Sequence, residues 1–156
     1  IVRPSNTYGE GQQLYRIIPR TILFIRLGRK RQLHGGGHSE RAFIHIRDVA
    51  DATARIMREG APGETYHIST RRIISVRNLV QMICERMQVR FENHVEVVGE
   101  RLGKDASYQL DSGKLRRQLG WEDRISMEHG IDETIAWMDR WLADLKQQPF
   151  DYVHKP

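Results

Sequence analysis

Residues 41–52, RAFIHIRDVADA, leave few options for local structure. Phe43, His45 and Arg47 alternate with Ala42, Ile44 and Ile46, a period of two rich in β-branched and aromatic side chains that predicts a short strand. The strand then becomes a helix, because Val49, Ala52 and Ile56 recur at helical spacing. Asp48 is placed to cap that helix, with its carboxylate at the positive end of the dipole. Gly35, Gly36 and Gly37 come just before, which puts Arg41 at the mouth of a glycine loop, where a planar five-donor cation suits a phosphate or carboxylate.

On either side the chain alternates between short strands and helices. Residues 1–5 read as the end of a strand and 6–12 as a loop. A helix is expected over 14–27, with Pro19 as a break or an early-turn residue, and a short strand over 31–34. The helix begun at Asp48 runs to Glu59 and ends at Gly60, and residues 65–69 form a strand after the Pro62-Gly63 turn. Ser75 caps a helix whose apolar set is Val76, Leu79, Val80, Ile83, Cys84 and Met87. A strand over 95–98 follows, then a short helix capped by Asp111 and stopped by Gly120. The last helix starts at Ser126 and buries Met127, Ile131, Ile135, Met138, Leu142 and Leu145, with Trp137 and Trp141 on a flank. Pro149 ends it, and residues 146–156 are expected to form a surface tail.

Charge is placed unevenly. Residues 1–47 hold nine Lys or Arg against Glu10 and Glu40, a balance of +7, so the whole-chain charge of +5 leaves −2 for the rest. The anion-binding end is the first third. Arg26, Arg29, Lys30 and Arg31 lack the aromatic interleaving and helix-turn-helix pattern of a nucleic-acid surface, so no nucleic acid is expected as partner. His34 and His38 flank glycines rather than share a helix face, and no metal is expected. Cys84 has no second cysteine to pair with and sits at an apolar helical position, which reads as core. The apolar stretches are far shorter than the roughly 20 residues of a membrane span, and no charged-then-apolar leader opens the chain; a soluble, cytoplasmic protein is the expectation.

Five segments together carry a resemblance: RPSNTYG at 3–9, RAFIHIRDVA at 41–50, GETYHI at 63–68, RLGKD at 101–105 and LGW at 119–121. In this order and spacing they resemble the extended short-chain dehydrogenases, in particular the NAD-dependent nucleotide-sugar epimerases and dehydratases such as the dTDP-glucose 4,6-dehydratases. The resemblance implies an α/β fold and, specifically, the carboxy-terminal, substrate-binding part of such an enzyme, spanning residues 1–156. Members of the family open with a dinucleotide-binding half that carries a glycine-rich turn, and hold a catalytic Tyr-x-x-x-Lys. Here the residues four beyond Tyr8, Tyr15, Tyr66, Tyr108 and Tyr152 are Gln12, Pro19, Thr70, Ser112 and Pro156, so no tyrosine has its lysine. Gly35 to Gly37 leads into a strand, not a helix, and does not replace the turn. No catalytic residue is therefore assigned, and the isolated chain is expected to lack hydride-transfer chemistry. The chain also opens on Ile1-Val2-Arg3 and looks cut from something longer.

Roles follow from the resemblance position by position. Asn6 matches an asparagine that reaches the substrate diphosphate or sugar, with an Asx turn as the structural alternative. Arg16 stands where dTDP-glucose dehydratases have a lysine near the phosphates, or else belongs to a solvated helix face. Gln32, Leu33 and His34 fall where those relatives have Pro-Ile-Tyr beside the base, a departure that leaves the base open. Arg41 and Arg101 match two diphosphate arginines, with Asp105 orienting Arg101; Ala42 replaces the aspartate common after the first. His67 either touches the ligand or is a plain strand histidine. Pro4 and Ser5 match residues near the nicotinamide. The resemblance implies NAD in the parent enzyme but none tightly bound by this chain alone, a nucleotide-sugar as ligand and a homodimeric parent. The alternative of a different class is a non-catalytic module that binds nucleotide-sugars or a partner protein.

Overall fold

Ile44 and its neighbour Phe43 belong to different hydrophobic cores, and that division organises the molecule. The computed structural model describes residues 1–100, 103 and 105–151. Strand β1 is Val2–Pro4, β2 Asn6–Tyr8, β3 Arg31–His34, β4 Glu40–Arg41, β5 Phe43–His45, β6 Tyr66–Ile68, β7 Ile74–Ser75, β8 Val95–Val98 and β9 Ser107–Tyr108. The helices are α1 Ile17–Arg26, α2 Ile46–Glu59, α3 Val76–Arg86, α4 Phe91–His94, α5 Gly113–Leu119 and α6 Met127–Leu145. Successive side chains of a strand point to opposite faces, so a strand covered on both faces is buried at every position. β5 is such a strand, with Phe43, Ile44 and His45 all under 10% exposed.

Phe43 faces a core in which α1, α3 and α6 pack on one another, supplied by Ile18, Ile22, Leu79, Ile83, Ile131 and Met138, each fully buried. Ile44 faces the second core, built from Tyr66 and Ile68 of β6, Ala52 of α2, Leu115 of α5 and Trp121. Strand pairing is local. β1–β6, β2–β5 and β3–β8 are parallel pairs, and β4 lies between β7, antiparallel, and β9, parallel. The expected α/β class is the observed one.

Two helix starts match their sequence signals: Ser75 Oγ accepts from the Asn78 amide at 3.1 Å, and Ser126 Oγ from the His129 amide at 3.2 Å. Pro19 lies in the first turn of α1, where its missing N–H is harmless. Asp48, by contrast, is not the cap of α2. The cap is His45, whose Nδ1 accepts from the Arg47 amide at 3.3 Å, so Arg47 is already helical. Asp48 sits in the first turn and turns inward, 5% exposed, to accept from the amides of Arg124 at 3.0 Å and Ile125 at 3.1 Å. Asp111 likewise precedes the cap of α5, which is Ser112. Gly60 ends α2 in an extended, not left-handed, conformation; a Cβ there would meet the Ile56 carbonyl at 2.5 Å.

The glycine run has a role in the fold. Gly35, Gly36 and Gly37 all have positive φ, and a Cβ on Gly37 would lie 2.9 Å from the Arg77 amide nitrogen, so the turn brings β3 hard against α3. The expected surface tail is tied down in part. Phe150 meets Phe24 edge to face at 5.9 Å, and Arg20 pairs with Asp151 at 2.8 Å; residues 152–156 lie outside the described residues. Among the described residues no helix is long and apolar enough to cross a membrane. Cys84 is buried, and burial pushes its thiol up to about 11, as a core cysteine requires.

Candidate functional site

A cleft of about 1190 Å³ opens between β2, the start of α1, β3 and β4. It is positioned by the pairing of β2 with β5, which sets Asn6 opposite Phe43, and by the loop from Gly9 to Gln13 that joins β2 to α1. Gly9 and Gly11 have positive φ. Gly9 also has no room for a side chain, since a Cβ there would come within 3.1 Å of His45 Nε2.

Among the described residues four arginines, Arg16, Arg20, Arg31 and Arg41, line the cleft against one carboxylate, Glu10. The N-terminus of α1 adds to this bias. Its first turn holds no acidic residue and no side-chain cap, and Arg16, Ile17 and Ile18 line the same cleft. The wall is thus cationic from side chains and from the helix end together, and suits a ligand with negative charge.

Ser5, Asn6, Arg16, Gln32, His34 and Arg41, six of the expected site residues, share this cleft although they come from four separate stretches of chain. Asn6 does not close an Asx turn. Its Nδ2 donates to the Ala42 carbonyl at 3.2 Å, which fixes the amide and leaves a second proton to offer. Arg41 does not pair with the Glu40 carboxylate. Its guanidinium donates to the backbone carbonyls of Glu40 at 2.7 Å and Asp105 at 2.8 Å. Two carbonyls therefore hold the fork in place without neutralising it. Arg16 stacks over the Tyr15 ring at 5.3 Å, and His34 Nδ1 lies 3.2 Å from the Gly99 carbonyl. Ser5 is 7% exposed and its Oγ is buried with no hydrogen-bond partner.

Other expected residues lie elsewhere. Leu33 points away from its neighbours Gln32 and His34 into the helical core, 2% exposed, as strand alternation demands. Its side chain is a core group and not part of the cleft wall. His67 pairs in register with Arg3, and Pro4 with Ile68, on the β1–β6 pair, and neither lines the cleft. Arg101 lies outside the described residues.

Sequence reasoning missed Tyr8, Arg20 and Arg31. Tyr8 is 2% exposed, meets His45 edge to face at 5.3 Å, and its hydroxyl is raised far above the ordinary value, chiefly by burial and then by Asp48. Arg20 and Arg31 were legible only as surplus positive charge, since nothing in their spacing brings a helix and the following strand to one cavity wall.

Layered α/β packing with a cationic cleft of this size suits an anionic small molecule. The sequence pattern of the GDP-mannose 4,6 dehydratase family matches residues 1–134. The chain belongs to that family, among the extended short-chain dehydrogenases that act as nucleotide-sugar dehydratases and epimerases. Human dTDP-D-glucose 4,6-dehydratase is 35% identical over 142 residues, which are 88% of this chain and 40% of that protein. The Neisseria gonorrhoeae dTDP-glucose 4,6-dehydratase is 32% identical over 143 residues, 85% of this chain and 41% of that protein. The dTDP-glucose 4,6-dehydratase DesIV of Streptomyces venezuelae, solved with NAD bound, superimposes with a TM-score of 0.85 at 29% identity, over 90% of this chain and 43% of that one. The chain therefore spans about two fifths of the length of the relatives it matches.

Proposed function

We propose that this chain is the carboxy-terminal, substrate-binding part of an NAD-dependent nucleotide-sugar 4,6-dehydratase or epimerase, and that its cleft anchors the nucleotide diphosphate. The observation that carries the reading is the convergence of Asn6, Arg16 and Arg41 with the start of α1 on one cleft. An arginine fork held by two carbonyls and an amide held by a third are preorganised donors, and a diphosphate needs several at fixed spacing. Gln32 and His34, next to these donors on β3, are the groups that would meet the base.

NAD supplies the hydride chemistry in this reading. Of the two residues matched to its nicotinamide, Ser5 fits, with a buried hydroxyl that lacks a protein partner; Pro4 does not line the cleft. The chain's own residues bind and orient. Remote anchoring of the diphosphate is what sets the reacting sugar carbon against the cofactor, so these arginines act on rate as well as affinity.

Calorimetric titration of the chain with dTDP-glucose and UDP-glucose tests this. Saturable 1:1 binding that Arg41→Gln weakens by about tenfold or more is expected, since a charge-assisted hydrogen bond is at stake. No binding of either sugar nucleotide, or binding indifferent to Arg41→Gln, would overturn it.

A further inference from the structure

Arg31 is a cation without a counter-charge. It lines the cleft, its Nε is buried without a hydrogen-bond partner, and its side chain makes no ion pair or hydrogen bond among the described residues. Its electrostatic neighbour is another cation, Arg20, whose Nε is also buried and unpartnered. Burial, and then Arg20, push the Arg31 guanidinium down to about 10, so it remains charged at neutral pH.

Arg116 shows what this protein does with a buried arginine whose role is structural. With its side chain 6% exposed, it donates to Asp123 at 2.5 Å, to Ser112 Oγ at 3.0 Å and to the Ser69 carbonyl at 2.9 Å, pairs with Glu122, and stacks on Trp121 at 5.0 Å. A buried guanidinium left unpaired destabilises the folded chain, because it loses hydration and gains nothing in return. Arg31 is a different kind of feature from Arg116: it is half-buried, its Nε is shut off from solvent without a partner, and its charged neighbour on the same cleft wall is Arg20, also half-buried. Among the described residues Arg20 has one carboxylate partner, Asp151, whose side chain is 73% exposed, and Arg31 has none. Among the described residues the other charged groups on the wall are Arg16, Arg41 and Glu10, so their balance with Arg20 and Arg31 is positive.

We propose that Arg31, with Arg20 beside it, forms an anion subsite in the cleft, separate from the Arg41 position, that takes an oxyanion of phosphate type from the bound ligand. The inference rests on the cleft being a ligand site, as proposed above, but not on the ligand being a sugar nucleotide. Binding of the anion satisfies the two orphaned donors and relieves the repulsion between the guanidinium groups, so the subsite is worth more to the complex than an exposed arginine would be.

The test uses inorganic pyrophosphate and dTDP as probes on the wild-type chain and on Arg31→Gln, Arg31→Lys and Arg41→Gln, with titration calorimetry and thermal melts. Arg31→Gln is expected to weaken pyrophosphate binding by about tenfold, the scale of one lost charge-assisted contact, and Arg31→Lys by less. Without ligand, Arg31→Gln is expected to melt no lower than wild type, because a half-buried charge with no counter-charge has been removed. Pyrophosphate binding that depends on Arg31 when no sugar nucleotide binds would leave the subsite standing and remove the nucleotide-sugar reading. Sugar-nucleotide binding lost in Arg41→Gln but unchanged in Arg31→Gln would do the reverse. Unchanged pyrophosphate affinity in Arg31→Gln, or a lower melting point for it without ligand, would overturn the subsite.

Discussion

Gly130 of α6 packs its bare Cα against the phenol of Tyr8: a methyl group at that position would overlap the Tyr8 hydroxyl and come within 2.9 Å of the His45 ring. The contact presses α6 onto β2 and β5, and so backs one wall of the cleft.

Gly130→Ala should therefore destabilise the protein, although alanine is worth roughly 1 kcal/mol over glycine in a helix interior. Overpacking of a filled site commonly costs about 1 to 3 kcal/mol. Urea denaturation is expected to show a net loss, partly recovered in the double variant with Tyr8→Phe, which removes the overlapped oxygen. A stabilised single variant would mean that α6 moves away freely.

Asp48 ties the first turn of α2 to the segment before α6. Its carboxylate, 5% exposed, satisfies two backbone amides that lie more than 70 residues away in sequence. Asp48→Ala should lower stability by about 2 to 3 kcal/mol, because both amides lose a charged acceptor inside the fold. Asp48→Asn, which keeps one acceptor oxygen, should cost less. The difference in denaturant midpoint between the two variants is the measurement.

His45 gives the protein an acid sensitivity. Its pKa lies below the ordinary 6.5, chiefly from burial and then from Arg47, while Glu133, Asp48 and Glu10 oppose the shift. Nε2 lies 3.6 Å from Glu133, too far for a hydrogen bond, and Nδ1 is occupied as the cap of α2. The unfolded chain binds a proton that the folded chain resists. Stability from this residue is thus complete above pH 6.5 and is lost as pH falls from there toward the depressed folded value. His45→Asn keeps an acceptor at the cap and should flatten the fall in denaturant midpoint between pH 7 and 5. An unchanged pH profile would assign the sensitivity elsewhere.

Arg41→Lys is expected to weaken sugar-nucleotide binding by about tenfold despite the retained charge. A single ammonium cannot donate to the Glu40 and Asp105 carbonyls and to a ligand in the geometry of the fork. Equal affinities of the lysine variant and wild type would show that only charge matters there.

The sequence alone was enough for whatever depends on neighbours within a turn or two. The caps at Ser75 and Ser126, the buried stripe of α3, the strand at 31–34 and the core position of Cys84 all follow from local periodicity and short-range hydrogen bonding, and the folded chain keeps them. The motif order from 3–9 to 119–121 was enough for the family. Tertiary structure decided the rest, because burial and partners come from residues far away in the chain. Asp48 could be read as a helix cap until amides from residues 124 and 125 claimed it and left that role to His45. Leu33 could be read as a ligand contact until the packing of β3 on α1 chose which face of the strand is buried, with Leu33 in the core and Gln32 and His34 at the cleft. Arg116 and Arg31 are both only arginines in a sequence; one is met by two carboxylates and the other by a second cation, and only the folded chain tells them apart.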